Sequence, residues 1–75
     1  MTNQKGLNIN VHDRVEVCTD YEKDGIGTVL TFRTVKRGGA YYIREAVIRM
    51  DKGYIEYAAM DFNDYNHTFI ERVIK

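Results

Sequence analysis

The 75 residues that begin MTNQKGLNIN predict an all-β domain, a small antiparallel barrel of five short strands. Three observations carry that expectation. β-prone runs recur about every 8 to 15 positions with turn residues between them. Proline is absent and no long stretch repeats apolar residues at the 3.6-residue helical period, which disfavours a helical bundle. Gly38 and Gly39 separate two β-prone runs, as a tight hairpin with a primed turn requires. Closure of so small a sheet hides the edges that an open one would expose.

Residues 1–8 read as a flexible polar tail, and 9–75 as the folded domain. "DRVEVCT" alternates, with Val15 and Val17 on one face and Arg14, Glu16 and Cys18 on the other, the period of a half-buried strand. "DYEKDGIG" reads as a turn region in which Asp24-Gly25 and Gly27 supply positive φ or a bulge. "TVLTFRTV" is the second strand, rich in β-branched and aromatic residues. In "YYIREAVIRM" both parities are apolar, Ile43 and Val47 against Ala46, Ile48 and Met50, so a bulge or bend is expected there. Asp51-Lys52-Gly53 makes a turn before a strand with Ile55 and Tyr57 towards the core. The polar "DFNDYNHT" reads as a loop or short helical turn ahead of the closing strand "FIERVIK".

Composition narrows the function classes. With 44% hydrophobic and 29% charged residues the chain is globular rather than disordered. Cys18 is the only cysteine, so an intramolecular disulfide and a multi-cysteine zinc site are excluded. No apolar run approaches the roughly 20 residues of a membrane span, and the start lacks signal-peptide character, so a cytoplasmic protein is expected. The net charge of zero hides a segregation: residues 25–50 carry five basic groups and one acidic, while the stretches before and after each carry three basic and five acidic. Such asymmetry steers an anionic partner to one region, or lets the chain's own segments attract each other.

"DRVEV" (13–17), "DGIGTVL" (24–30), "AVIRMDKG" (46–53) and "FIERV" (69–73) together resemble the SH3-like small barrels, in particular the KOW and Tudor-like group. His12 stands where KOW-like segments often have glycine, and the loop over 60–68 is longer and more acidic than usual. The resemblance implies a five-stranded SH3-like barrel and a binding role, since members of that group bind RNA, duplex DNA, ribosomal or polymerase proteins, or methylated peptides. Fold alone does not choose among these.

Two candidate surfaces follow. Arg33, Lys36, Arg37 and Arg44 can neutralise phosphates while Tyr41 or Tyr42 stacks on a base, which points to weak, salt-dependent contact with nucleic acid or with a protein of a nucleic-acid machine. The same residues also suit a solvated hairpin whose cations discourage edge pairing. The alternative surface is Glu56, Tyr57, Asp61, Phe62, Asp64 and Tyr65, an acidic and aromatic set suited to gripping or inhibiting a partner protein. There Phe62 and Tyr65 either anchor a partner or plug an end of the barrel. Tyr41, Tyr42 and Tyr57 also admit an aromatic cage for a methylated side chain.

No enzyme, metal site or cofactor is expected. The chain has no serine, no glycine-rich phosphate loop and no histidine beside Cys18. Asp61, Asp64 and His67 fall at spacings of three, but the loop has no glycine where a calcium loop needs one, and a metal site requires convergent ligands with a fixed second shell. "GYIEYAAM" invites comparison with the pore strand of the plasmid-borne type II dihydrofolate reductases, which it does not match residue by residue. The expected function is a regulatory binding module of bacterial or phage size, with homo-oligomerisation left open.

Overall fold

The β-prone runs become five strands: β1 (Arg14–Thr19), β2 (Glu22–Arg37), β3 (Tyr41–Met50), β4 (Ile55–Ala59) and β5 (Thr68–Ile74). The structure, a computed structural model, describes residues 1–39, 41–62 and 67–75. Neighbouring strands pair in chain order, and β5 returns to β1 to close the ring. Four of the five pairings are antiparallel, whereas β4 meets β5 in parallel at Ala59 and Phe69. Direction cannot alternate all the way round a ring of five, so one parallel neighbour is obligatory where a wholly antiparallel sheet was expected. Among the described residues no helix forms. The expected helical turn or loop falls largely on 63–66, outside the described residues.

The core is Ile9, Val15, Val17, Val29, Ala46, Ile48, Met50, Ala58, Met60 and Ile70, each no more than 2% exposed, with Leu7, Phe32 and Val73 packed against it. Burying a Val, Ile or Met side chain stabilises by roughly 1.5–3 kcal/mol each, the main driving force available to a domain of this size. Residues 1–9 fold against the ring. Thr2 bridges Asn8, and the Asn3 side chain donates to the Ile70 carbonyl at 3.2 Å while accepting from the Lys5 and Leu7 amides at 3.0 Å. Asn3 thus serves part of the β5 edge that the single β4 contact leaves open.

Several local expectations are corrected. The turn between β1 and β2 is not at Asp24-Gly25. Thr19 pairs with Glu22, and Asp20 and Tyr21 between them both take positive φ, 50° and 67°, as a two-residue type I′ turn requires. Gly25 and Gly27 lie inside β2, facing Val17 and Val15, and Asp24-Gly25 does supply the expected positive φ and bulge: Gly25 takes φ 134° beside Asp24, the extra residue between the Val17–Gly25 and Cys18–Lys23 pairs. Glu16 and Cys18, expected on the solvent face, are 9% and 7% exposed, so four successive residues of β1 are buried; the register slips beside them leave Glu71 of β5 and Asp24 of β2 as extra residues.

The bulge expected in β3 sits on its partner instead. Val29 pairs with Ile48 and Thr31 with Val47, which leaves Leu30 as the extra residue. Both parities of β3 are covered: Ala46, Ile48 and Met50 face the core, and Ile43 and Glu45 on the other face are 3% and 1% exposed. In β4 the inward residue is Ala58, paired with Ala46, so Ile55 and Tyr57 point outward at 41% exposure each rather than to the core. At the β2–β3 tip Arg37 pairs with Tyr41, which puts three residues in the connection where a two-residue turn was expected.

Gly27 tests the closeness of the ring. A Cβ there would lie 2.6 Å from Ile48 Cγ2 and 2.7 Å from the Arg49 carbonyl oxygen, and the backbone atom cannot swing aside. Gly27→Ala is expected to destabilise the domain by about 1–3 kcal/mol, read as a lowered urea midpoint with an unchanged slope.

Candidate functional site

Tyr21, Phe62 and Phe69 converge at one end of the ring. The β1–β2 turn carries Tyr21, the chain leaving β4 carries Asp61 and Phe62, and the start of β5 carries Phe69 just after His67. With Gln4 and Lys5 from the N-terminal segment they line a mostly apolar groove of about 310 Å³. Tyr21 is 90% exposed and Phe62 86%, so the two rings stand in solvent beside it. A larger, shallower depression of about 770 Å³ shares Lys5, Tyr21 and Phe69 and extends over Cys18, Glu16 and Arg72.

Polar contacts fix the groove's walls. His67 Nδ1 lies 3.1 Å from Asp20 Oδ1, tying the turn that bears Tyr21 to the start of β5. Lys5 Nζ lies 2.7 Å from Glu71 Oε2 and 5.5 Å from the centre of the Phe69 ring. Arg44 Nε donates to Asp61 Oδ2 at 2.8 Å, and its Nη2 donates to the other carboxylate oxygen. That fork holds the Asp61 carboxyl below its ordinary range and raises the Arg44 guanidinium, hydrogen bonding being the larger cause for both. These pairs are half-exposed, so they orient side chains more than they stabilise the fold.

The basic hairpin has spent part of its charge internally. Arg33 Nε donates to Glu45 Oε1 at 2.9 Å, and its guanidinium lies 3.7 Å from the centre of the Tyr57 ring. Glu45 is buried, so drawing Arg33 to a phosphate takes a paired cation from a buried carboxylate, a costly exchange. Lys36 is exposed and sits opposite Tyr42, which is 68% exposed, while Tyr41 is 43% exposed. The side chain of Arg37 lies outside the described residues. Of the acidic and aromatic set, Tyr57 holds Arg33 and Asp61 holds Arg44, and Asp64 and Tyr65 lie outside the described residues. Phe62 plugs nothing, as its exposure shows. The cage trio does not converge on the groove.

Glu56 belongs to a separate group. It is half-buried near Asp24, whose Oδ2 is buried with no hydrogen-bond donor, while Tyr54 donates to Asp24 Oδ1 at 2.7 Å. Burial, then the charge of Asp24 and a hydrogen bond to it, push the Glu56 carboxyl up. The hydrogen bond to Asp24, with burial, pushes the Tyr54 phenol up to about 12. Elsewhere, burial and then Glu71 and Glu16 push the Cys18 thiol up, away from the thiolate a nucleophile needs. Among the described residues no three metal-ligating side chains cluster.

Tyr21, Lys5 and Phe69 were not singled out from the sequence. A two-residue spacing between Thr19 and Glu22 was the available signal, but tyrosine is a poor type I′ residue and the nearby Asp24-Gly25 was the stronger one. Comparison with family models, with curated proteins and with solved structures gives no match to this chain.

Stability should respond to pH in two opposite limbs. Glu56 binds its proton more tightly folded than unfolded, so its contribution is present below the ordinary glutamate range and is lost as pH rises through its raised value. Asp51, held low by its hydrogen bond to Arg14, and Asp61 act oppositely, and their contribution is lost as pH falls below the ordinary aspartate range. Urea midpoints measured across pH 3–7 are expected to peak on the acid side, and Glu56→Gln to remove the fall above the peak.

Proposed function

We propose that this chain is a small non-enzymatic binding module of SH3-like barrel architecture, working in the cytoplasm by gripping a partner protein through the groove between Tyr21 and Phe62. The observation that carries this reading is the pair of large aromatic side chains held almost fully in solvent over an apolar groove. Aromatic anchors beside a preformed apolar pocket are the usual source of interface energy. A bulky residue at positive φ costs roughly 1–2 kcal/mol, and the fold gains no packing from Tyr21 in return. The occupant that suits the groove is an apolar or aromatic side chain of a partner segment. The ion pairs at the rim leave little net charge to select an anion.

A second reading, contact with nucleic acid or a nucleic-acid-bound machine through the β2–β3 tip, is favoured by Lys36 and Tyr42. One cation and one exposed ring occupy opposite positions of the hairpin, an arrangement that neutralises a phosphate and stacks a base. It predicts weak binding with a salt slope of about 1 per phosphate contact.

The two readings separate in one experiment. Affinity capture with the wild-type chain, Phe62→Ala and Lys36→Glu, quantified by mass spectrometry, is expected to lose a specific protein with Phe62→Ala and keep it with Lys36→Glu. Both positions are exposed, so each variant should match wild-type stability within about 0.5 kcal/mol. Capture unaffected by Phe62→Ala, or an oligonucleotide titration that shifts the amides of 33–44 and fails in Lys36→Glu, would place function at the tip.

A further inference from the structure

β2 is far longer than the strand it shares with β1. Its pairing with β1 ends at Thr28, and Val29 exchanges hydrogen bonds with the His12 amide at 2.8 Å and the Asp13 carbonyl at 2.9 Å. Beyond the Leu30 bulge, β2 runs on to Arg37 with β3 as its neighbour. Met60 donates its amide to the Arg44 carbonyl at 2.9 Å, so the Arg44 backbone faces away from β2. In an antiparallel pair, hydrogen-bonded and non-hydrogen-bonded positions alternate, which makes Thr34–Arg44 a non-hydrogen-bonded pair. Phe32 and Lys36 share the parity of Thr34. The backbone N–H and C=O groups of all three point to the open side of β2.

Among the described residues, the one contact to these groups is the Thr31 hydroxyl, 3.4 Å from the Phe32 carbonyl oxygen. Thr34 and Lys36 are exposed. The open length matches an ordinary strand, and such an edge is a template for another chain. Its charge selects the chain. Arg33 is held by Glu45, but Lys36 is exposed and residues 31–37 carry no acidic group, so acidic side chains of an added strand find complementary charge there and a second copy of the same edge does not.

We propose that the open edge Phe32–Lys36 takes an extended acidic segment of a partner protein as an added β-strand. Main-chain hydrogen bonds to Phe32, Thr34 and Lys36 supply the register, and alternate acidic side chains meet Lys36 on one face of the hairpin. This surface uses none of the residues that line the aromatic groove, so it stands or falls separately from the reading above.

The test is an amide titration and hydrogen-exchange measurement with the blocked peptide Glu-Val-Glu-Val-Glu, with Lys-Val-Lys-Val-Lys as its counterpart. The acidic peptide is expected to shift the Phe32, Thr34 and Lys36 amides and slow their exchange by about tenfold or more. The basic peptide should leave them unchanged. Thr34→Pro removes the central edge N–H without breaking a ladder bond to β3 and should abolish the response, while Phe62→Ala should not. Should Thr34→Pro fail to fold, Lys36→Glu provides the second arm, with preference moving to the basic peptide. Equal response to both peptides, no response at millimolar acidic peptide, an undiminished response in folded Thr34→Pro, or shifts that follow protein concentration alone would overturn the proposal.

Discussion

The close approach of β2 to β3 at Gly27 is the constraint on which the closed sheet depends. Ile48 and Met50 occupy the space a side chain at 27 would take, so β2 can turn across the core and serve β1 with its first half and β3 from Gly27 to Arg37. Leu30 completes that turn as a bulge, after which the strand leaves the ring. A short chain can thereby surround ten core residues and still extend a two-stranded arm, giving an overall length of 36 Å against a width of about 22 Å. The same geometry leaves the β4–β5 seam with one paired position, which is where the N-terminal segment and Asn3 are used.

Both candidate surfaces arise from what closure leaves over. At one end the tight β1–β2 turn carries a tyrosine in a backbone region that tyrosine rarely adopts, and Asp20 with His67 holds the turn against β5. Packing does not account for the residue, because its side chain is almost wholly in solvent. Beyond Arg44, which holds Asp61, the β2–β3 arm outruns its neighbours, and its open backbone edge lies beside Lys36. Arg33 and Arg44 are drawn back to Glu45 and Asp61, so the surplus of positive charge along 25–50 is partly an internal balance and only partly a surface offered to partners.

Strand number and the core-facing placement of Val15 and Val17 were legible because period-2 patterning of β-branched residues reflects which face of a strand is buried, although the burial of Glu16 and Cys18 on the other face was not. The positions of the bends were not. Gly25 and Gly27 carried the same local signal, but whereas Gly25 supplies the positive φ that signal suggests, the role of Gly27, yielding space to β3, is a contact between residues more than 20 positions apart. The two apolar parities of β3 correctly implied an irregularity, but the slip was taken up by Leu30 on the partner strand, which β3's own sequence cannot express. Among the site residues, Phe62 was visible as an aromatic in a polar loop. Tyr21 was hidden because its conformation contradicts its intrinsic preference, and local propensity reasoning fails at such strained positions. The ion pairs of Arg33 and Arg44 depend on hairpin register and on the path after β4, neither of which is written in the residues themselves.

The claim at the centre of this account is that Tyr21 is kept for binding at the expense of stability. Equilibrium urea unfolding of Tyr21→Asn, together with its capture of the protein partner, tests this most directly. Asparagine accepts positive φ, so the account predicts a domain more stable by about 1 kcal/mol that no longer holds the partner. A variant that is less stable than the wild type, or one that binds the partner undiminished, would contradict it.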